Sequence, residues 1–371
     1  MVYDAIIVGQ GLAGVVMAET LEASGQTFRV IDDWDYSSCS KVSVGMYNPI
    51  VFKRLTKSWM VDESLPLALN FYRNLEERLG IQLIHPRAVQ KPFADQREVD
   101  FWHKKAAEPL AVNYLRNDGQ LPTYMAPPTF GAGKVVDAGN IDVLTLITRY
   151  RKYLQQQGWL LAERFNHARI SFNAADASFN PSVNGTLVTT LLTYTTLSGE
   201  SIQARRILFC EGYRALANPY FKDLPFKLTK GEVLHIFIPD LAQADADYND
   251  IVMKQCSLLP LGGGHFRVGA TYNWDDLTET ITEAAREELT SKLACLLTVP
   301  FKVVDQQVGI RPTVNDRRPL IGFHPHYPQL GIFNGLGTKA VILAPYFAQH
   351  FVEHIKTGMP LMKEVDVRRG F

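Results

Sequence analysis

Three glycines near the N-terminus have the spacing that binding a phosphate requires. Gly9, Gly11 and Gly14 form a GxGxxG turn, GQGLAG in full. The run before them, YDAIIVG at 3–9, is short, apolar and rich in Ile and Val, as a buried strand is. The run after them, VVMAETLEASG, has helical spacing and stops at Gly25, a candidate C-terminal cap. QTFRVIDD then gives a second strand that ends in Asp32 and Asp33. Strand, glycine turn, helix and strand make the βαβ unit that binds dinucleotides. Gly9 permits the tight turn, Gly11 lets backbone approach a pyrophosphate, and Gly14 lets helix and strand pack closely. The helix N-terminus offers N–H groups and partial positive charge to the phosphates. Asp32 can accept hydrogen bonds from ribose hydroxyls, and an acid with no arginine beside it argues against a ribose 2′-phosphate. The turn does not separate NAD from FAD, and a glycine turn that only packs helix on sheet is the plain alternative.

Other elements follow from periodicity. Residues 62–79 predict an amphipathic helix with Asp62 as N-cap, Leu65, Leu69, Tyr72, Leu75 and Leu79 on one face, and Gly80 at its end. Residues 137–157 predict a second helix and 276–297 a third. Residues 159–209 alternate as strands and turns, ending in the apolar strand RRILFCEG. Val233–Ile238 and Phe266–Tyr272 read as strands of an antiparallel sheet, and the last sixty or so residues return to an α/β pattern with the helix KAVILAPYFAQHFVEHI. The fold class is therefore α/β, in two interwoven domains.

Composition narrows the classes. The chain has 371 residues, 46% hydrophobic and 20% charged, an ordinary globular balance. Thirty-eight basic residues match 38 acidic ones, so no bulk charge favours nucleic acid or an anionic membrane surface. Cys39, Cys210, Cys256 and Cys295 are widely spaced and form no CxxC pair, which suits a reducing compartment and neither zinc nor disulfides. Ala5–Gly25 is apolar, but glycines, Glu19 and Glu22 interrupt it and no basic region precedes it, so it is not read as a signal peptide. No stretch approaches the roughly 20 apolar residues of a membrane span. The expectation is a cytoplasmic protein with no metal.

Several segments together resemble the D-amino acid oxidase superfamily. LFCEG at 208–212 is similar to its second cofactor-contacting strand. GIRPTVNDRRPLIG at 309–322, followed by NGLGTKAVILAP at 334–345, resembles its C-terminal pattern. VSVGMYNP at 42–49 falls where the family lays a small-residue loop beside the flavin. AGNIDVLTLI at 138–147 precedes its second long helix, and KGEVLHI at 230–236 and FRVGATY at 266–272 match strands of its substrate domain. Within the superfamily the motifs are similar to those of glycine oxidase and of the oxidase domain of the bifunctional enzyme that modifies wobble uridine in tRNA.

The resemblance implies a doubly wound Rossmann-type FAD domain (1–80, 137–225 and 309–371) interwoven with an α+β substrate domain on an antiparallel sheet (81–136 and 226–308). It implies hydride transfer from a carbon next to nitrogen to the flavin, giving an imine that hydrolyses. The cofactor contacts would come from Gly9, Gly11, Gly14, Asp32, Asp33, Val44, Gly45, Met46, Cys210, Glu211, Gly212, Gly309, Gly335, Leu336, Gly337, Thr338 and Lys339. Arg311 matches the arginine that pairs with the substrate carboxylate, a structural ion pair with Asp316 being the alternative. Lys339 stands where the tRNA-modifying relative has arginine, and could hold flavin or substrate. Arg267 stands where some amine oxidases carry a lysine that promotes reaction with oxygen. No cysteine lies near 309–316, where the sarcosine oxidase branch attaches its flavin, so FAD is expected to be non-covalent.

Two departures from the family pattern bear on the substrate and on the flavin contact. Where glycine oxidase has a carboxylate-binding tyrosine this chain reads CSLLP, so Ser257, Tyr272 or Tyr47 would serve instead, or the substrate is not a simple amino acid. Glu211 stands where the family usually has alanine. His235 and His265 read as ordinary sheet histidines, and no general base is named. The leading expectation is an FAD-dependent oxidase or dehydrogenase of a small amine or amino acid, passing electrons to oxygen or a carrier. The alternative is a tRNA-modifying oxidase acting on a carboxymethylaminomethyl base, which the neutral charge disfavours.

Overall fold

The computed structural model describes residues 1–34, 38–109, 111–172, 191–242 and 248–371. Part of the alternating stretch 159–209, residues 173–190, lies outside the described residues. The chain forms two compact units. One comprises Met1–Ser38, Leu146–Leu228 and Arg311–Phe371, the other Cys39–Thr145 and Thr229–Ile310. Residues 39–80 and 137–145, grouped from sequence with the dinucleotide segments, lie in the second unit. The physical reason is strand pairing: Met46–Tyr47 pairs with Gly139–Ile141, which pairs in turn with Ile84–Pro86.

The first unit is built on a six-stranded sheet in the order Leu160–Leu161, Phe28–Ile31, Ala5–Val8, Ile207–Phe209, Leu330–Asn334, Leu320–Phe323. The first five run parallel and the last antiparallel. Strands covered on both faces need apolar residues at every position. Accordingly Ala5–Val8, Ile207–Phe209 and Leu330–Asn334 are buried throughout. The helices Leu12–Ala23 and Ala340–Thr357 pack on one another. The first helix ends at Ala23, and Gly25 follows its cap with a left-handed φ of 75°.

The second unit carries an eight-stranded sheet in the order Lys302–Arg311, Thr229–Phe237, His265–Gly269, Ser257–Gly262, Ile251–Met253, Val89–Pro92, Ala132–Val135, Leu115–Arg116. Thr229–Phe237 and His265–Gly269 are antiparallel, with His235 opposite Arg267. The expected strand to Tyr272 stops as a regular strand at Gly269, although Thr271 N–H still donates to the Glu232 carbonyl at 3.1 Å and Asn273 forms an isolated antiparallel bridge with Lys230. The helix predicted at 62–79 is Val61–Leu79, closed by Gly80 at φ 62°. Asp62 is not its N-cap; Met60 is, and the Asp62 carboxylate turns instead to Lys57 at 2.8 Å and the Tyr114 hydroxyl at 3.0 Å. The helix expected over 276–297 is shorter, Glu283–Ala294, because the Thr282 hydroxyl caps it by accepting from Ala285 N–H. The one expected over 137–157 is Val143–Gln156, preceded by a short strand.

Candidate functional site

In a parallel sheet the loops that leave the C-terminal strand ends form the ligand crevice. In the first unit those loops are Gly9–Gly14 after Ala5–Val8, Asp32–Asp33 after Phe28–Ile31, Cys210–Gly212 after Ile207–Phe209, and Gly335–Lys339 after Leu330–Asn334. Four motifs far apart in sequence thus meet along neighbouring strands. Gly9 has a φ of 98°, and a Cβ on it would lie 2.6 Å from the Cys210 carbonyl oxygen. A Cβ on Gly14 would lie 1.9 Å from the Gly9 carbonyl oxygen. The turn therefore needs glycine at both positions. Gly11 is the N-cap of Leu12–Ala23, and the first turn of that helix carries no acid to oppose an anion at its positive end.

Asp32 is buried and accepts from the backbone N–H of Gln10 at 3.0 Å and of Trp34 at 3.1 Å. An arginine does stand beside it, contrary to the sequence expectation. Arg151 Nη1 lies 2.7 Å from Asp32 Oδ2, and Nη2 donates to the Asp32 carbonyl at 3.2 Å. Arg151 is 119 residues away on Val143–Gln156, so no local reading could have found it. Its guanidinium also lies over the Trp34 ring, 5.0 Å from the centroid. Gln10 donates through Nε2 to the Ile147 carbonyl at 2.9 Å and so ties the glycine turn to the same helix. The Asp33 Oδ1 atom is buried with no hydrogen-bond partner among the described residues.

Glu211, an expected cofactor contact, has its carboxylate turned to His167 Nε2 at 2.9 Å and Asn218 Nδ2 at 2.7 Å. Its backbone still abuts the glycine turn, its Cα lying 3.5 Å from a Cβ built on Gly9. Asn334 was not singled out from sequence. Its Nδ2 donates to the Gly212 carbonyl at 2.8 Å and its Oδ1 accepts from Gly335 N–H at 2.8 Å, which joins the second and the C-terminal turns. A Cβ on Gly335 would lie 2.8 Å from the Val314 side chain, and one on Gly337 3.2 Å from that of Thr313. Thr313 and Val314 therefore pack against the Gly335–Lys339 turn. Asp316 pairs with Arg369 at 3.2 Å. Lys339, half-buried, closes the short Gly337–Lys339 helix, and burial pushes its ammonium down to about 8.

The remaining expected residues lie in the second unit. A Cβ on Gly45 would lie 1.9 Å from the Ile141 carbonyl oxygen, so the Val44–Met46 loop is pressed onto the strand Gly139–Ile141. Tyr47 is buried, and burial pushes its phenol up to about 12. Ser257 is buried and donates to the Gly269 carbonyl at 2.7 Å, an internal role in the sheet. Tyr272 is 57% exposed and stacks on Trp274. Gly309 fits against Cys39, whose Cα would lie 3.0 Å from its Cβ. Arg267 reaches Gln307 Oε1 at 3.2 Å. Among the described residues no group of three or more His, Cys, Asp or Glu is placed to hold a metal ion, and no helix is long and apolar enough to cross a membrane.

The residues of the first unit fit FAD. A glycine cradle that a methyl group would fill, a helix N-terminus with no acid in its first turn, the buried carboxylate of Asp32 and the unpartnered buried Oδ1 of Asp33 match pyrophosphate and ribose. This combination of sheet and turns defines a dinucleotide-binding protein. The model of the family of FAD dependent oxidoreductases (DAO) matches residues 4–354, and the chain belongs to that family. It is an enzyme, and its cofactor is FAD. The chain is 25% identical over 228 residues to the glycine oxidase of Bacillus subtilis (strain 168), 60% of this chain and 56% of that protein. It is 28% identical over 173 residues to the tRNA 5-methylaminomethyl-2-thiouridine biosynthesis bifunctional protein MnmC of Aromatoleum aromaticum, 41% of this chain and 26% of that one. The match thus spans little more than half the length of the first of these relatives and about a quarter of the other. In fold it is similar to the crystal structure of glycine oxidase from Geobacillus kaustophilus, with a TM-score of 0.75 at 18% identity over 98% of this chain and 96% of that one.

Proposed function

We propose that this enzyme oxidises the C–N bond of a glycine-like or N-substituted amino acid to an imine, which water hydrolyses. The observation that supports the reading is the packing of Thr313 and Val314, two and three residues after Arg311, against Gly337 and Gly335 of a cofactor-type turn. FAD, when bound, supplies the hydride acceptor. Arg311 holds the substrate carboxylate through two parallel N–H bonds and so fixes the reacting carbon, and such orientation accounts for much of the rate. The Gly9–Gly14 turn and the start of Leu12–Ala23 bind the pyrophosphate, and Asp32 and Asp33 take the ribose end. Cys210, Glu211 and Gly212 contribute backbone only, since the Glu211 carboxylate is engaged elsewhere. Gly335, Leu336, Gly337, Thr338 and Lys339 face the flavin with N–H groups and positive charge, which favour the reduced ring. The FAD is held without covalent attachment. Ser257 and Tyr47 are buried, and Arg311 is the substrate contact this reading relies on.

The test is a visible spectrum of the purified holoenzyme, followed by anaerobic mixing with glycine, sarcosine, proline, D-amino acids and N-(carboxymethyl)glycine. Bleaching by one of these, lost in Arg311→Ala, is the expected result. Oxygen uptake in the same assay separates oxidase from carrier-linked dehydrogenase. A flavin bleached by none of them, but by a carboxymethylaminomethyl nucleoside, favours the tRNA-modifying reading instead. Lys339 in GLGTKA is the feature on that side.

A further inference from the structure

Within the first unit, the parallel ladder between Ile207–Phe209 and Leu330–Asn334 ends at the pair Phe209 and Ile332. Asn334 lies past that last pair, where the two strands give way to the turns Cys210–Gly212 and Gly335–Lys339. On its other side it is still paired with Leu320, so its own backbone is anchored. It is buried, and it is the one polar side chain of the strand LGIFN. Nδ2 donates to the Gly212 carbonyl and Oδ1 accepts from Gly335 N–H, each at 2.8 Å. A carbonyl can only accept and a backbone N–H only donate, so one orientation of the amide serves both. The side chain thus adds a rung where the backbone ladder has stopped.

Both groups it binds belong to glycines in left-handed conformations, with φ 58° at Gly212 and 71° at Gly335. Glycine has little conformational preference of its own, so bonds from outside decide where such turns sit. The Gly212 end is already braced, since the neighbouring Glu211 carboxylate is held by His167 and Asn218. That turn in turn backs the glycine cradle, where a Cβ on Gly9 would lie 2.6 Å from the Cys210 carbonyl oxygen. Asn334 therefore ties the C-terminal turn into a frame that includes the cradle. An amide that only filled space here would be outdone by leucine, because burying a polar group costs free energy that its hydrogen bonds do little more than offset. We propose that Asn334 is a positioning residue for the cofactor: its amide fixes the Gly335–Lys339 turn to the Cys210–Gly212 turn and so holds the donors offered to the flavin where they favour its reduced state. This rests on the assignment of the Gly335–Lys339 turn to the flavin in the reading above, and not on which amine is oxidised.

The test compares Asn334→Asp with Asn334→Leu. As a carboxylate, the Asp side chain can accept from Gly335 N–H but cannot donate to the Gly212 carbonyl; once protonated, its O–H restores that bond. Burial raises a carboxyl's pKa, so the protonated form is reached in mild acid. Asn334→Leu loses both bonds at every pH. Wild-type and variant holoenzymes are diluted and the released FAD is read by fluorescence, and the midpoint potential of the bound flavin is measured at the same pH values. At about pH 8 both variants are expected to hold FAD at least about tenfold more weakly than wild type. Each should also lose about tenfold of the preference for reduced over oxidised flavin, which for a two-electron couple is a potential lower by about 30 mV. At about pH 5 Asn334→Asp is expected to return to within about twofold of wild type on both counts, while Asn334→Leu does not. If Asn334→Leu fails to fold, Asn334→Asp at the two pH values carries the test. Unchanged potentials with lowered melting alone overturn the inference, because Asn334 then only supports the fold. Failure of Asn334→Asp to recover in acid overturns it too. Gly337→Ala separates the inference from the reading it rests on: at φ 57° its Cβ would lie 3.2 Å from the Thr313 side chain, so the turn must shift by a route that leaves Asn334 alone. A shifted potential in Gly337→Ala with none in the Asn334 variants fells the positioning inference by itself. No shift in any of the three removes the turn from the flavin and takes the inference with it.

Discussion

Replacing Arg151 with methionine keeps most of the side chain's volume and removes the cation that faces Asp32. The two side chains are 11% and 4% exposed, so the pair is screened little by solvent. At a charge separation of about 4 Å and an effective dielectric of about 20, the attraction is about 4 kcal/mol. Deleting one partner of a buried pair costs about 3–5 kcal/mol, because the other charge is left in a poor solvent. Asp32 is not left bare, since the amides of Gln10 and Trp34 still donate to it. The expected loss is therefore about 2–3 kcal/mol, at or below the lower end of that range. In a unit of this size that corresponds to a fall in melting temperature of about 5–10 °C. The assay is thermal unfolding of the holoenzyme at fixed FAD and neutral pH. Arg151→Lys, which keeps the charge but loses the second bond to the Asp32 carbonyl, should melt between the two. Melting of Arg151→Met within about 1 °C of wild type would refute the claim that this pair holds Asp32 in place.

Gly14→Ala should yield protein without yellow colour, since its Cβ would sit 1.9 Å from the Gly9 carbonyl oxygen and only movement of the turn can relieve that; retained FAD at wild-type stoichiometry contradicts the cradle. Ser257→Ala should cost about 1–2 kcal/mol in unfolding, because a buried carbonyl loses its donor, and should leave substrate preference as it was; a changed preference with unchanged melting would return Ser257 to the substrate. Lys339 has a folded-state pKa pushed down to about 8, below the ordinary lysine value of about 10.4. Between those values the unfolded chain binds the extra proton, so this group's penalty is full below about pH 8 and is relieved as pH rises towards about 10.4. Lys339→Met should flatten that rise in a melting-versus-pH series, and any rate contribution from the lysine's charge should fade above about pH 8 in wild type alone.

The glycine turn was legible because its requirements are local. Gly9 and Gly14 contact backbone atoms of the same short βαβ unit and of one neighbouring strand, and apolar runs such as Ala5–Val8 and Leu330–Asn334 can only be buried strands. Sequence periodicity likewise determined the helix Val61–Leu79 and its glycine cap, but not its start. Met60 caps it in a left-handed conformation while Asp62 goes to Lys57 and Tyr114, the latter 52 residues away. Family motifs located Arg311 and the Gly335–Lys339 turn as separate segments; the packing of Val314 and Thr313 against Gly335 and Gly337 made them one feature. Only the tertiary structure could place Arg151 on Asp32, turn the Glu211 carboxylate to His167, join Asn334 to Gly212 and leave Arg267 Nε without a partner. The reason is common to all four. Backbone pattern depends on residues within a turn or two, whereas the partner of a charged side chain is whichever group the fold brings within about 3 Å, and chain order does not encode that distance.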